Sequence, residues 1–534
     1  MSVDTSSAVL YAASCSLALW AGTKLLFPEP DRAARHRDSL PFLGETWAAI
    51  KHADHYYDWE AEWTEKMEGR PWMFDVVGRP TEFVIGRPEL IEDILVTQFD
   101  KFGKGEYVHD ALQDLLGDGI FAVDGHKWMQ QRKTASNLFS MRELRESMAT
   151  VVQDNVKHLD DTFHRAMNNG EPVDLFQLFN RFTFEVISEI AFGVKFGGLA
   201  SETEHPVETA FNYAQQRLFE RFLEPTWLWK LQRWLNIGGE RELKEHVRTI
   251  DDTCYSIISR SIEKNQAVRR ADDRHESSPG TDAKSKKRHL ISLFLDGVSE
   301  KTKHDNEANT EQTADPKYLR DIVVAFMTAG RDSTTAALSW FFYTLTQHPE
   351  TEMKIRQEIC AKIPELASGS ISSPSLVQAN ELVYLEAAVK EALRLNPAVP
   401  SNIREALEDV VLCDGTVVKA GEAVSWSSYS IGRMPHVWGT DAKEFKPERW
   451  IDAATGKLIA VSPFKFTLFN AGSRSCLGTK LAMMEIKITA ASVLSKYNLT
   501  LVPGQSITYR LGLSLAMKNG FKVKAEKAIP VSHS

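Results

Sequence analysis

Residues 469–478 read FNAGSRSCLG, which places Cys476 between Gly472 and Gly478, with Arg474 two residues and Phe469 seven residues before it. Glycines at these offsets let backbone amides approach the sulfur and tune it, so the pattern suits a thiolate held as a metal ligand. Each position has a task if that metal is a haem iron. Cys476 supplies a thiolate that pushes electron density toward the iron and favours O–O cleavage. Phe469 covers the sulfur with an apolar ring, and Arg474 meets a haem propionate through a charge-assisted hydrogen bond. An ordinary buried cysteine beside a turn is the competing reading, and five matched positions weigh against it. The other cysteines, at 15, 254, 360 and 413, form no CxxC pair. An odd, scattered set points to a reducing, cytosol-facing compartment, with each of these four serving as a small buried hydrophobe.

Other motifs support the loop. Glu391 and Arg394, in EALR, are spaced three apart on one face of a predicted helix, LVYLEAAVKEALRL. Downstream stands Pro447-Glu448-Arg449-Trp450, and upstream GHKWMQQR carries Trp128 and Arg132. Taken together, these segments resemble the cytochrome P450 family over nearly the whole chain after its N-terminal segment. The resemblance implies that Arg449 joins Glu391 and Arg394 in a structural network. It further implies that Trp128, Arg132 and Arg404 (in PSNIREA) serve haem b, whose propionates suit the planar fork of an arginine.

Ala329-Gly330-Arg331-Asp332-Ser333-Thr334 lies inside a long apolar helical pattern and matches the family's oxygen-binding helix. Gly330 is expected to open a groove for dioxygen, and Asp332 with a following hydroxyl to route protons. The family usually has threonine directly after the acid. Here that position is Ser333, so the relay hydroxyl is assigned to Ser333, with Thr334 as the alternative. An exposed Asp332 paired only with Arg331 is the plain structural reading.

The elements that must position these residues read as mostly helical, so the expected fold class is mainly α with small β-sheets, and the resemblance implies the cytochrome P450 fold. FNRFTFEVISEIAFG, RELKEHVRTIDDTCYSIISRSIEK and LRDIVVAFMTAGRDSTTAALSWFFYTLTQH repeat apolar residues at helical spacing, whereas MFDVVG, TEFVIG, residues 410–425 and the C-terminus read as strands. Residues 265–288 and 299–317 are polar and are expected as mobile surface loops. From Ala8 to Phe27 runs an apolar segment of about the twenty residues a spanning helix needs. Arg32, Arg35 and Arg37 follow it, and Asp4 is the charge before it. Residues 1–27 are thus expected to be a membrane anchor, 28–44 a proline-containing linker and 45–534 the catalytic domain, facing the cytosol. The resemblance implies the endoplasmic reticulum membrane. A cleaved signal peptide fits less well, because no charged n-region precedes the run.

A net charge of −9 over 534 residues, with both signs interspersed, gives no basis for a nucleic-acid partner. Gly117-Asp118-Gly119-Ile120-Phe121-Ala122 imitates a dinucleotide fingerprint, but the preceding ALQDLL reads as helix rather than strand. With no nucleotide or flavin fingerprint, electrons are expected from a separate protein; the resemblance implies an NADPH-dependent flavoprotein reductase, with cytochrome b5 as an optional second donor. AGRDSTTAALSWFF, RFLEPTWLWKLQRWLNIGGERELKEHVRTIDD and YSIGRMPHVWGTDAKEFKPERW resemble plant and fungal long-chain fatty-acid ω-hydroxylases, which implies an apolar lipid substrate. Phe222, Trp227, Leu228 and Trp229 line its access path or belong to the core or a membrane contact. Three alternatives stand beside this reading. They are a hydroxylase of another lipid such as an alkane or sterol, a reductase-independent isomerase or dehydratase of lipid hydroperoxides, and a non-catalytic haem or gas-binding protein.

Overall fold

The structure, a computed structural model, describes residues 32–199, 205–275, 290–301 and 315–528. Helices that matter to the site are α1 (Gly105–Leu116), α2 (Gly125–Ser136), α3 (Leu175–Phe192), α4 (Pro206–Glu220), α5 (Thr226–Leu235), α6 (Gly238–His275), α7 (Pro316–Gln347), α8 (Val383–Leu395) and α9 (Thr479–Lys496). Strands are β1 (Ala34–Arg35), β2 (Trp72–Phe74), β3 (Glu82–Ile85), β4 (Phe102–Gly103), β5 (Val173–Asp174), β6 (Ser401–Ala406), β7 (Val410–Val411), β8 (Val417–Val418), β9 (Ala423–Ser427), β10 (Tyr497–Leu501) and β11 (Lys522–Lys527). A six-stranded sheet runs in the order β1-β2-β3-β9-β6-β4; β10-β11-β5 forms a second sheet and β7-β8 a hairpin.

Helix α7 spans 32 residues, about 48 Å at 1.5 Å per residue. The Asp315 carboxylate accepts from the Lys317 N–H at its start, Pro316 takes the first position where no N–H is needed, and Pro349 follows its end. Most of α7 is buried, because it is apolar nearly all round and packs along α3, whose own start is capped by Asp174 and whose end is the left-handed Gly193. The same Asp174 carboxylate accepts from the Phe521 N–H, so the C-terminal sheet is tied to α3. A second apolar core lies under the six-stranded sheet around Phe83, Trp426, Met434 and Trp450.

Several expectations shift. Strand β1 pairs in parallel with β2, so the folded unit takes in part of the stretch expected as linker. Helix α6 continues to His275, eleven residues into the first stretch expected as a loop, while residues 276–289 lie outside the described set. Helix Leu290–Lys301 enters the second such stretch, which returns to helix at Pro316, with 302–314 outside the described residues. Cys254 is fully buried, but Cys413 is exposed beside the β7-β8 hairpin, where a short turn offers no core to enter. Among the described residues no helix is long and apolar enough to cross a membrane; the Ala8–Phe27 run and Cys15 lie outside them.

Candidate active site

The scaffold under the cysteine loop is a buried carboxylate saturated with donors. Glu391 and Arg394, both on α8, are 0% and 2% exposed. Arg394 Nε and Nη2 each donate to Glu391 at 2.7 Å in a bidentate fork, Arg449 Nε donates at 3.2 Å, Trp450 Nε1 at 2.9 Å and the Lys446 N–H at 2.9 Å. Arg394 also reaches the carbonyls of Gly432, Ala442 and Glu444, and Arg449 those of Trp438 and Asp441. One helix face thus staples the 432–450 segment that leads into the cysteine loop.

That loop is held by its backbone. The Cys476 N–H donates to the Phe469 carbonyl at 2.8 Å, and the Thr467 hydroxyl to Ser428 at 2.8 Å. Gly472 has φ +60°, and a Cβ there would stand 2.6 Å from the Leu95 carbonyl oxygen, so only glycine fits. Its role is this close approach to Leu95, rather than the approach to the sulfur expected from the sequence. Gly478 does serve the sulfur: a Cβ there would stand 3.8 Å from Sγ, and its N–H and that of Thr479 lie beside the sulfur, while the Thr479 hydroxyl donates to the Cys476 carbonyl at 3.0 Å. Burial pushes the thiol up, and these donors, with Arg132 beside them, act the other way. Cys476 sits deep among protein atoms yet keeps accessible surface, so a ligand could reach it. Phe469 places its ring against Phe466, centroids 6.3 Å apart.

Four cations converge next to the loop. Arg474 stacks over Trp128 at 4.0 Å and donates to the Val123 carbonyl and to Asp124; Arg132 lies 5.9 Å from the same ring and donates to the Ser475 hydroxyl at 3.2 Å. Arg404, on β6, stacks 5.5 Å over Trp426. Lys104, which no sequence motif singles out, completes the set from the end of β4: burial pushes its ammonium well down, and Arg404 and Arg474 add to the effect. Burial likewise brings Arg404 and Arg474 down to about 10, each with a further cation pushing the same way and Asp124 opposing. Asp124 stands at the start of α2, yet its carboxylate turns to Arg474 and to the Lys104 N–H instead of capping the helix. Lys104, Arg404 and Arg474 gather around the Asp124 carboxylate with Arg132 beside Arg474, an excess of positive charge that calls for further negative charge. The two propionates of haem b would meet that demand, and Cys476, with amides beside its sulfur, would ligate the iron.

On α7 the motif residues separate. Ser333 Oγ donates to the Ala329 carbonyl at 2.7 Å and retains accessible surface. Thr334 is 3% exposed, and Thr335 is locked to Thr183 Oγ1 at 2.8 Å and to the Arg331 and Phe179 carbonyls. Gly330 does not open toward oxygen by lacking a side chain: a Cβ would lie 2.4 Å from Ile187 Cγ1, so the glycine is what lets α3 press against α7. Asp332 keeps one oxygen 3.7 Å from Arg331 Nε and leaves the other buried without a partner.

The family model for cytochrome P450 matches residues 38–525. The chain belongs to the cytochrome P450 family. It is 36% identical to cytochrome P450 86B1 of Arabidopsis thaliana over 82% of this chain and 75% of that one. It is 34% identical to cytochrome P450 94B3 of the same plant (92% and 91%) and 33% identical to cytochrome P450 704B1 (91% and 94%). Family membership makes this P450 a haem-thiolate monooxygenase that takes electrons from a reductase. The Gly117–Ala122 segment, accordingly, follows helix α1 and not a strand; its Asp118 N–H donates to Asp321 of α7 at 3.0 Å, a structural turn rather than a nucleotide site.

Over the α4–α6 region the expected channel residues divide. Trp229 is fully buried, stacked by Arg221 at 4.7 Å and by Lys230 and Arg233 at 5.6 Å, which makes it core. Phe222 meets Tyr107 of α1 edge-on at 5.6 Å, while Trp227 and Leu228 remain partly exposed.

Proposed function

We propose that this P450 hydroxylates a long-chain fatty acid at or near its methyl end, with electrons from NADPH delivered by a flavoprotein reductase. When bound, haem supplies the oxygen-activating iron. The chain's own residues then divide the work: Cys476 ligates, Lys104, Arg132, Arg404 and Arg474 anchor the propionates, and Trp128 packs against two of those arginines. Asp332 and Ser333 carry protons. The observation that favours oxygenation over isomerisation is that acid and hydroxyl are adjacent on α7 and both keep accessible surface, whereas Thr334 does not. The fatty-acid assignment rests on the resemblance of 221–252, 329–342 and 429–450 to ω-hydroxylases.

Purified protein incubated with reductase, NADPH and a panel of fatty acids, alkanes and sterols is expected to yield terminally or near-terminally hydroxylated fatty acid. Turnover of a lipid hydroperoxide without electrons would favour the isomerase reading. In the same assay Ser333→Ala should lower product per NADPH and raise peroxide while Thr334→Ala does not; the reverse pattern moves the relay to Thr334.

Membrane attachment is proposed at two places. Residues 8–27 form the anchor, and an exposed apolar face supplements it. Trp47 and Ile50 (59% and 61% exposed) and Trp234, Leu235 and Ile237 (79%, 40% and 43%) stand out from the surface. Their elements flank one turn: the Val77 N–H donates to Thr46 Oγ1 at 3.0 Å, and the Thr226 N–H to the Gly78 carbonyl at 3.3 Å. Strand β1, where the chain emerges from residues 1–31, edges the same sheet. Aromatic and aliphatic residues so placed suit the interface of an endoplasmic reticulum bilayer. Deleting residues 1–27 should release the protein only partly in membrane flotation, and adding Trp47→Asp and Trp234→Asp should complete the release. Full release by the deletion alone would show that the face does not touch lipid.

A further inference from the structure

We propose that Arg510 is the positioning residue of Asp332, joined to it by water in a small cavity behind α7, and that this cavity is where protons enter the relay. The inference rests on Asp332 serving the proton route. Asp332, Arg510, Asn180, Asn212, Gln216 and Ser514 border one cavity of about 30 Å³, room for about two waters at roughly 10–15 Å³ each. Its walls come from α3, α4, α7 and the C-terminal segment around the Tyr509–Met517 bridge, and Phe176, Leu513 and Ala516 line it beside the six polar residues. Two buried atoms are left without protein partners there, Asp332 Oδ2 and Gln215 Nε2, the latter from a further residue of the same wall. An acceptor and a donor both unsatisfied at one polar hollow are what ordered water pairs with.

Arg510 is fixed with respect to α7. Its N–H donates to the Ala516 carbonyl at 2.7 Å, Tyr509 bridges Met517, and the Trp340 indole of α7 donates to the Leu515 carbonyl at 2.6 Å. Its guanidinium makes no direct ion pair among the described residues, and Asp332 is the leading charge that counters the effect of its burial. A cation and a carboxylate bordering one small cavity beyond ion-pair distance are a water-bridged pair. Arg331, also buried, is drawn to Asn212 and leaves the second Asp332 oxygen to the cavity. In the relay, a proton from bulk solvent crosses the cavity water, which accepts one proton as it gives one to the Asp332 carboxylate and so ends as neutral water, and Asp332 returns to its ionised form on passing a proton to the Ser333 side. No redox change occurs on these groups. A substrate carboxylate on Arg510 is disfavoured by Asp332 in the same cavity.

The test compares R510Q, R510K, D332N and the R510Q/D332N double variant of the holoenzyme with reductase. Expected for R510Q is an unchanged substrate-induced spectral shift and melting temperature, with product per NADPH lowered roughly 3- to 10-fold, a part of the roughly 10²–10⁴ that a proton-transfer group contributes. Its solvent deuterium isotope effect on NADPH consumption should rise, R510K should restore part of the coupling, and R510Q should add nothing in the D332N background. A crystal structure should show ordered water between the two side chains. If D332N uncouples and R510Q does not, or if R510Q raises the substrate Kd instead, the Arg510 assignment falls while the relay stands. If D332N is itself neutral, both fall.

Discussion

Cys476→Ser is expected to give a folded protein whose reduced carbon monoxide complex lacks the thiolate-type absorption and whose hydroxylase activity falls to background. The fold should tolerate the change, because what holds the loop is backbone: the Cys476 N–H to Phe469, the left-handed Gly472 against Leu95, and the Thr467–Ser428 hydroxyl pair. None of these involves Sγ. The function should not tolerate it, because electron donation to iron requires sulfur, and because the N–H groups of Gly478 and Thr479 lie beside an atom that serine shortens and replaces with an alcohol. Difference spectroscopy of the reduced carbon monoxide complex, with melting temperature recorded alongside, reads both halves. A thiolate-type spectrum surviving in Cys476→Ser would remove Cys476 as the ligand.

Glu391→Ala should fail in the opposite way, through assembly and not chemistry. The carboxylate receives Arg394 twice, Arg449, the Trp450 indole and the Lys446 N–H. Removing it leaves the 2%-exposed Arg394 guanidinium with carbonyl oxygens but no countercharge. Breaking one partner of a buried ion pair costs about 3–5 kcal/mol, a large share of a typical stability of roughly 5–15 kcal/mol. The consequence is low haem content and a markedly lower melting temperature, since the stapled 432–450 segment feeds the cysteine loop. Arg394→Lys should rescue little, because a single ammonium cannot span both carboxylate oxygens and three carbonyls. Haem-to-protein ratio and thermal melting are the measurements, and a soluble Glu391→Ala protein with full haem and near-normal melting would contradict the assignment.

The chemistry of this protein was legible in the chain because its identifying residues are close in sequence or fixed in spacing. FNAGSRSCLG marks the ligand loop within ten residues, and three-residue spacing alone puts Glu391 and Arg394 on one face of α8. Long helices with strong apolar periodicity, α3 and α7 above all, were equally legible, since burial on most faces imposes that composition. The tertiary structure alone decided what depends on contact between distant segments. Lys104 joins the cationic cradle only because β4 pairs with β6, which carries Arg404; a lysine between two glycines announces nothing by itself. Gly330 reads as an opening in one dimension, but in space it is the point where Ile187 of α3 meets α7. Trp229 reads as a channel or membrane residue until Arg221, Lys230 and Arg233 are seen stacked around it. Arg510 lies 178 residues from Asp332, and the two share a cavity because the C-terminal segment folds back and hydrogen-bonds to Trp340. Spacing along a helix is set by local geometry and so is written in the sequence. Which side chain fills the space between two helices is set by the packing of the whole chain, and no local pattern encodes it.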